Sequence, residues 1–380
     1  MARSPAALTV RVAVVVEQCL APVPGGTGRY TRELAGALAA MAPEGAAVGG
    51  WVAWRRDVQG ASIRGVDGPH RLPLPRRPLA LAWGSGRGPG PRGTVVHAPT
   101  VLAPPRRDTP LVVTVHDTVA WTMPEALTGH GAAWHRRMTE RALREADVVI
   151  VPTEAVRREL AGHATGPARV EIVGEGVSAP FLELPDPAEA ARRGNRLGLP
   201  STGYFVTLAT LEPRKGLDVA VAAFAERIAP QLPLLVVGQP GWGGVDPAAL
   251  AARHRLPADR VRVLGRLDDA DLAVVLAGAV ALLMPSRAEG FGLPAVEAMS
   301  LATPVVVSDI PALVEVTGGC ALVVPVGDPF ALADATRRLL DDGDLRDRLA
   351  RSGRARSRTF TWASTAARMW ALYTGLLPSG

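Results

Sequence analysis

Lysine is almost absent. Of the 42 Lys+Arg side chains in 380 residues, Lys215 alone is a lysine. A chain that uses arginine at every other basic position has kept one compact ammonium, which arginine's planar fork does not imitate, so Lys215 asks for a reason. Cysteine is nearly as scarce. Cys19 and Cys320 lie outside any CxxC or metal-ligand spacing, which excludes a disulfide framework and fits a reducing cytoplasm. Aromatic residues make up 4% of the chain, too few for a base-stacking surface. The net charge of +6 and pI near 10.2 would suit a polyanion, but the arginines are scattered and charged residues reach only 21%, so nucleic-acid binding is not expected. Long apolar runs are missing too: "VRVAVVV", Val10 to Val16, is broken by Arg11 and falls well short of the roughly 20 residues a membrane span needs. It reads as a buried first strand. The glycines Gly25, Gly26 and Gly28 behind it argue against a secretory signal starting at Arg3.

What is present is alternation. Short β-rich runs are interleaved with amphipathic helical stretches, which predicts parallel βαβ units and an α/β fold. Strands are expected at Val10–Val16, Thr94–His97, Leu111–Val115, Val148–Val151 and Val170–Val173, then at Tyr204–Ala209, Leu234–Val237, Val261–Leu264, Ala281–Met284 and Pro304–Val307. At 380 residues two domains are the natural division. The Pro- and Gly-rich stretch from Ala179 to Gly203 has no strand pattern and is where the boundary is expected, between a first domain over residues 1–180 and a second over 200–360. Residues 361–380 are expected to pack back on the first, since Trp362, Met369, Trp370, Leu372, Tyr373 and Leu376 recur at helical spacing. Leu72 to Gly93, rich in Pro and Gly, is expected to hold neither a helix nor a central strand and to form a mobile surface loop, or else a lid over an acceptor.

Lys215 lies in "TLEPRKGLD", after a strand and before a helix starting near Leu217. Ligands of open α/β sheets bind at such carboxyl edges. Arg214, Lys215 and a helix N-terminus together make an anion site that suits a diphosphate. The stretch "PSRAEGFGLPAVEAMS" points to the same edge, with Pro294 opening a helix and the amides of Gly292 and Leu293 facing the edge. Glu289 and Glu297, with seven residues between them, cannot be reading phosphate, so they are expected to accept hydrogen bonds from sugar hydroxyls, each worth ~1.5–3 kcal/mol.

In the first half, "VPGGTGRYTREL" opens a helix but is no dinucleotide fingerprint, because Thr31 stands where the third glycine belongs. Its bare glycines would still let backbone approach a phosphate or sugar. His116 and Asp117 follow a strand directly, and His97, ending the neighbouring strand, is read as structural. Asp269-Ala-Asp271 and Asp342-Gly-Asp344 resemble a metal-nucleotide pattern, but each begins a helix and capping explains them.

Together these residues resemble the retaining, nucleotide-sugar-dependent family 4 glycosyltransferases of GT-B fold. The resemblance runs in order through "GGTGRYT", "TVHDTVAW", "ALREADVVIVPTEAVRREL", "LEPRKG", "VVGQPGWGG", "LLMPSRAEGFGLPAVEAM" and "DIPALVEVTGG". It implies two Rossmann-like doubly wound domains facing across a cleft. It also implies that Arg214 and Lys215 hold the donor diphosphate and stabilise its departing charge. Glu297 would bind the ribose hydroxyls, and Glu289 with the amides of Phe291, Gly292 and Leu293 would hold the transferred sugar and phosphate. Gly26 and Gly28 would approach the donor from the other domain, His116 would contact the sugar near the reacting carbon, and Gly238 and Gly265 would shape the nucleotide pocket. No cofactor and no metal are implied, only a nucleoside-diphosphate sugar donor and an acceptor hydroxyl on a glycan, lipid or secondary metabolite. Peripheral membrane contact is expected if that acceptor is lipid-linked. One departure is "MSLATPVVV", where the family commonly has Ala-Cys-Gly before Thr-Pro and this chain has Leu301 and Ala302. The alternatives are a sugar-nucleotide epimerase of the same fold, a dinucleotide oxidoreductase, and a non-catalytic nucleotide- or nucleic-acid-binding protein.

Overall fold

A computed structural model describes residues 10–378; the leader considered at Arg3 lies outside the described residues. The chain divides into two compact units. One takes in the chain up to Trp121, His130–Gly176 and the chain from Thr361, and the other Thr122–Gly129 with Val177–Phe360.

Among the described residues the first unit carries seven strands, β1 (Arg11–Val15), β2 (Ala47–Val52), β3 (Asp67–Arg71), β4 (Val95–Ala98), β5 (Leu111–Thr114), β6 (Val148–Val151) and β7 (Arg169–Ile172). They are all parallel, in the order β3-β2-β1-β4-β5-β6-β7. The second unit carries β8 (Phe205–Leu208), β9 (Leu234–Val237), β10 (Val261–Gly265), β11 (Ala281–Met284), β12 (Val305–Ser308) and β13 (Leu322–Val324), parallel in the order β10-β9-β8-β11-β12-β13. Each sheet therefore grows outward in both directions from its first strand, the doubly wound arrangement. Successive side chains of a strand enter opposite cores: Val12 and Val14 of β1 join one apolar cluster, Ala13 and Val15 the other. In β9, Leu235 and Val237 separate in the same way from Leu234 and Val236. Two covered faces explain why these strands read as continuous apolar runs.

All ten expected strands are present, and three more were not expected. β2 contains Gly49-Gly50 and β3 contains Pro69, residues that argue against a strand except where packing or an edge position permits it. β3 is an edge strand, and β13 is a three-residue edge strand at the opposite end of its own sheet.

The reading of Leu72–Gly93 as a helix-free mobile loop or lid is corrected. Arg76–Gly84 is a helix. Pro78 falls in its first turn, where no intrahelical donor is needed. Leu79 and Trp83, four residues apart, are 1% and 0% exposed, and the Trp83 indole donates to Pro89 O at 2.8 Å. Two anchors one turn apart hold the stretch in the core. The expected boundary also shifts. The units meet at Gly176/Val177, and the supposed linker is built into the second unit: Phe181 is fully buried, and the helix Pro187–Leu197 carries Arg193, which binds Asp271 at 2.7 Å. Thr122–Gly129, expected within the first domain, groups with the second unit.

The last helix, Trp362–Gly375, belongs to the first unit. Met369, Trp370 and Tyr373 are buried, and Trp370 Nε1 donates to Leu38 O at 3.0 Å. Leu372 and Leu376 are only partly covered. Behind the second unit's site, Ala302 takes φ +59, the left-handed region that glycine occupies freely. The departure at "MSLATP" therefore stores local backbone strain.

Trp83→Ala should lower the unfolding free energy by about 3–5 kcal/mol, as a large buried aromatic leaves a cavity. Urea or guanidinium denaturation measures it, and a loss under 1 kcal/mol would restore the surface-loop reading.

Candidate active site

The second sheet reverses direction between β8 and β11, and the carboxyl ends of two such strands flank the crevice where ligands of this sheet type bind. The loop after β8 carries Arg214 and Lys215, and the loop after β11 carries Glu289. Pro213–Lys215 forms a short 3-10 turn. It closes on Gly216, whose φ is +68 and where a Cβ would stand 1.9 Å from Pro285 O. Only glycine lets the two loops approach this closely.

That approach puts charges together. Lys215 Nζ donates to Glu289 Oε1, and their side chains are 15% and 9% exposed. Ser286 Oγ donates to the same Oε1 at 3.0 Å. Arg214 Nη1 lies 3.7 Å from Glu289 Oε2, while its Nε donates to Glu212 at 3.0 Å. Burial and the adjacent Arg214 charge lower the Lys215 pKa, and Glu289 and Glu212 work the other way without cancelling them. Burial alone would raise Glu289, but the Lys215 and Arg214 charges prevail and hold it below the ordinary carboxylate range. The pair is an ammonium and a carboxylate, with a guanidinium alongside.

The other expected residues of this unit gather at the same sheet edge. Gly292, at φ +94, caps the helix Leu293–Ser300. A Cβ there would meet Leu313 Cδ2 at 2.4 Å, so this turn also needs glycine. Phe291 and Leu293 send their side chains into the core at 4% and 7% exposure, which leaves main chain as what they can offer a ligand. Glu297, in that helix, is buried. Gly238, just past β9, donates its N–H to Gly265 O at 2.9 Å, which places these two glycines side by side at the ends of β9 and β10.

The first unit presents its own candidates. Gly26 is exposed in the first turn of the helix Gly25–Ala40. Gly28 is buried, and a Cβ there would overlap Pro24 at 2.4 Å, so its bareness already serves the chain's own packing. His116 Nε2 faces Pro99 O at 2.8 Å and its Nδ1 faces Glu175 at 3.5 Å. Burial disfavours the charged ring, but Glu175 and the Pro99 carbonyl outweigh it and raise the pKa. His97 is fully buried between Tyr373 OH at 2.6 Å and Thr114 Oγ1 at 2.9 Å, and burial lowers its pKa to about 3. It is a neutral core residue.

Several participants left no local signal. Ser286 steadies Glu289, Glu212 steadies Arg214, Glu175 faces His116, and Arg287 bridges the two loops through Asp218. Glu175 and Arg287 meet partners distant in sequence, while Ser286 and Glu212 bond within their own loops.

Known proteins now bear on this geometry. Residues 24–179 match Glycosyltransferase Family 4 and residues 195–356 match Glycosyl transferases group 1. The D-inositol 3-phosphate glycosyltransferase of Actinosynnema mirum is 34% identical over 288 residues, covering 72% of this chain and 68% of that one. The chain belongs to glycosyltransferase family 4. The O-antigen chain mannosyltransferase B of Escherichia coli is 29% identical, covering 70% of this chain and 71% of that one. The D-inositol 3-phosphate glycosyltransferase of a Nocardioides species is matched over only 53% of its length. Among solved structures, the sucrose-phosphate synthase of Thermosynechococcus elongatus superposes with a TM-score of 0.77 at 24% identity, covering 97% of this chain and 99% of that one. Anabaena HepE in complex with UDP-glucose gives 0.75 at 20%, covering 97% and 100%. The fold of this family 4 member is GT-B.

The two Asp-x-Asp runs are occupied by structural tasks. Asp268, one residue before the first run, caps its helix by accepting from Asp271 N at 2.8 Å. The Asp271 carboxylate binds Arg193 and Arg196. Asp342 caps the helix Gly343–Ser357, accepting from Leu345 N at 2.8 Å.

His97 sets an acid limit. It stays neutral when folded down to about pH 3, while an unfolded histidine takes up a proton near 6.5. Its contribution is therefore complete above pH 6.5 and shrinks as pH falls from there toward 3. In His97→Gln the melting temperature should fall less steeply between pH 6.5 and 4 than in wild type. Parallel slopes would show that His97 does not titrate as placed.

Proposed function

We propose that this chain transfers a hexose, with retained anomeric configuration, from a nucleoside-diphosphate sugar to an acceptor hydroxyl without using a metal. The observation that carries this is the convergence of Arg214, Lys215 and Glu289 at the switch-point crevice of the second sheet. The two cations lie against Glu289 and Glu212, and a diphosphate in the crevice would accept charge-assisted hydrogen bonds from both of them. Arg214 and Lys215 would hold that diphosphate, and Glu297 would take the ribose hydroxyls. Glu289 and the main chain of Phe291, Gly292 and Leu293 would take the sugar, with Gly238 and Gly265 around the nucleoside. The binding of UDP-glucose by HepE supports a nucleotide-sugar donor, and the names of the mannosyltransferase and inositol-phosphate relatives support a hexose and a polyol or glycan acceptor.

The reaction follows from the charges. The acceptor oxygen attacks the anomeric carbon from the face that the diphosphate leaves. The bond from that carbon to the diphosphate oxygen breaks, and that oxygen takes the acceptor's proton. Retaining glycosidases instead use a carboxylate nucleophile. Glu289 is poorly suited to that, because its carboxylate is already neutralised by Lys215 and bonded by Ser286. Arg214 and Lys215 would stabilise the leaving group, the kind of preorganised electrostatic contribution that is usually the largest.

We place the protein in the cytoplasm and assign it no nucleic-acid partner. Cys19 and Cys320 are both unpaired, and among the described residues no helix is long and apolar enough to cross a membrane.

A thermal-shift panel of UDP, GDP, dTDP, ADP and NAD, with EDTA present, tests the donor site. One diphosphate at a hundred times its dissociation constant should stabilise wild type by ~2.7 kcal/mol and leave Lys215→Ala unmoved. Stabilisation by NAD alone would sink the reading. Once a donor is known, turnover should survive EDTA undiminished; loss of activity restored by magnesium would overturn metal independence.

A further inference from the structure

Placing Arg214 and Lys215 side by side raises a physical difficulty. Adjacent cations in a partly buried crevice repel one another, and burial followed by the Arg214 charge lowers the Lys215 pKa; a loop free to relax would turn them apart. Glu289 and Ala288 of the facing loop meet its side chains, and the side chain that holds the main chain of the turn Pro213–Lys215 is Arg287.

Arg287 reaches across with both main chain and side chain. Its N–H donates to Arg214 O at 2.7 Å. Its Nη1 donates to Pro213 O at 2.8 Å and to Asp218 Oδ1 at 2.8 Å, and its Nη2 to Asp218 Oδ2 at 2.6 Å. Asp218 sits in the first turn of the helix Leu217–Ala223, so the guanidinium spans from the start of the turn to the helix that follows it. In return Arg214 Nη1 donates to Ala288 O at 3.3 Å. The bidentate fork keeps Arg287 neutralised by Asp218, and Asp218 is in turn held below its ordinary range, burial notwithstanding, by that guanidinium. The brace therefore adds no net charge to the crevice. An isolated ion pair at 28% and 49% exposure would contribute little. This one differs because the same guanidinium also binds the main chain of the turn.

We infer that Arg287, anchored by Asp218, is a positioning residue that fixes the Pro213–Lys215 turn so that Arg214 and Lys215 converge on the leaving diphosphate. The inference rests on the donor reading above. It assigns the brace to the β-phosphate end of the donor only, since Arg287 bonds to none of Glu297, Gly238 and Gly265, to which the nucleoside end was given.

The test compares nucleoside diphosphates with the matching monophosphates (UDP and UMP, GDP and GMP, dTDP and dTMP, ADP and AMP) by calorimetry, on wild type, Arg287→Ala, Arg287→Lys and Asp218→Asn. For the base that wild type prefers, Arg287→Ala should weaken the diphosphate by about tenfold or more, as misplaced binding groups do, while monophosphate affinity stays within about twofold. Arg287→Lys keeps a charge for Asp218 but loses the fork, and should recover part of the loss. Diphosphate affinity unchanged in Arg287→Ala, or diphosphate and monophosphate weakened alike, overturns the brace while leaving the donor site standing. A wild type that binds none of the diphosphates overturns the donor reading and the brace with it.

Discussion

Lys215 and Glu289 can share a largely buried position only because each neutralises the other. Removing one partner of a buried pair typically costs ~3–5 kcal/mol, since the remaining charge is left without water or counter-charge. Here the pair also has Arg214 beside it, itself bonded to Glu212, so two cations and two carboxylates crowd one edge of the sheet. Much of the second unit's local structure serves this arrangement: Gly216 lets the two loops touch, Ser286 holds the carboxylate, Glu212 holds Arg214, and Arg287 ties the turn to Asp218. The lone lysine of the sequence is the point at which they meet.

Sheet topology makes the meeting possible. Lys215 and Glu289 are distant in sequence, but β8 and β11 are neighbours, and parallel strands send both following loops to the same edge. The sheet winds outward from β8 in both directions, and these two loops meet at that switch point. Gly238 follows β9 and Gly265 ends β10 on one side of it, and the helix carrying Glu297 follows β11 on the other. One topology thus brings together residues from four strand ends.

The first unit repeats the winding but spends its polar residues differently. Tyr30, Thr114, His97 and Tyr373 form a buried chain of hydrogen bonds linking the first helix, β5, β4 and the terminal helix. That chain holds the C-terminal segment to a unit whose strands it follows by some two hundred residues. His116 lies next to this network, edge-on to Tyr30 with ring centroids 4.6 Å apart, yet its pKa is raised where that of His97 is lowered. The difference is Glu175: burial acts on both rings, and only His116 has a carboxylate facing it.

What the sequence determined by itself is the set of elements and the residue types at the sheet edges. Ten strands were legible because two covered faces demand unbroken apolar runs, and Lys215, Glu289 and Glu297 stood out because their chemistry is costly to bury without use. What the sequence could not reveal lay in contacts between distant segments. β2 and the edge strands β3 and β13 carry Gly, Pro or too few residues to show a pattern, and neighbouring strands alone make them strands. The helix Arg76–Gly84 is hidden by the prolines around it and exists because Leu79 and Trp83 find a core. Only the tertiary structure decided that the Asp271 carboxylate binds Arg193 and Arg196 and that Arg287 faces Asp218. In each case the partner is far away in sequence and is set by which elements pack together in the folded unit, with no counterpart in local spacing.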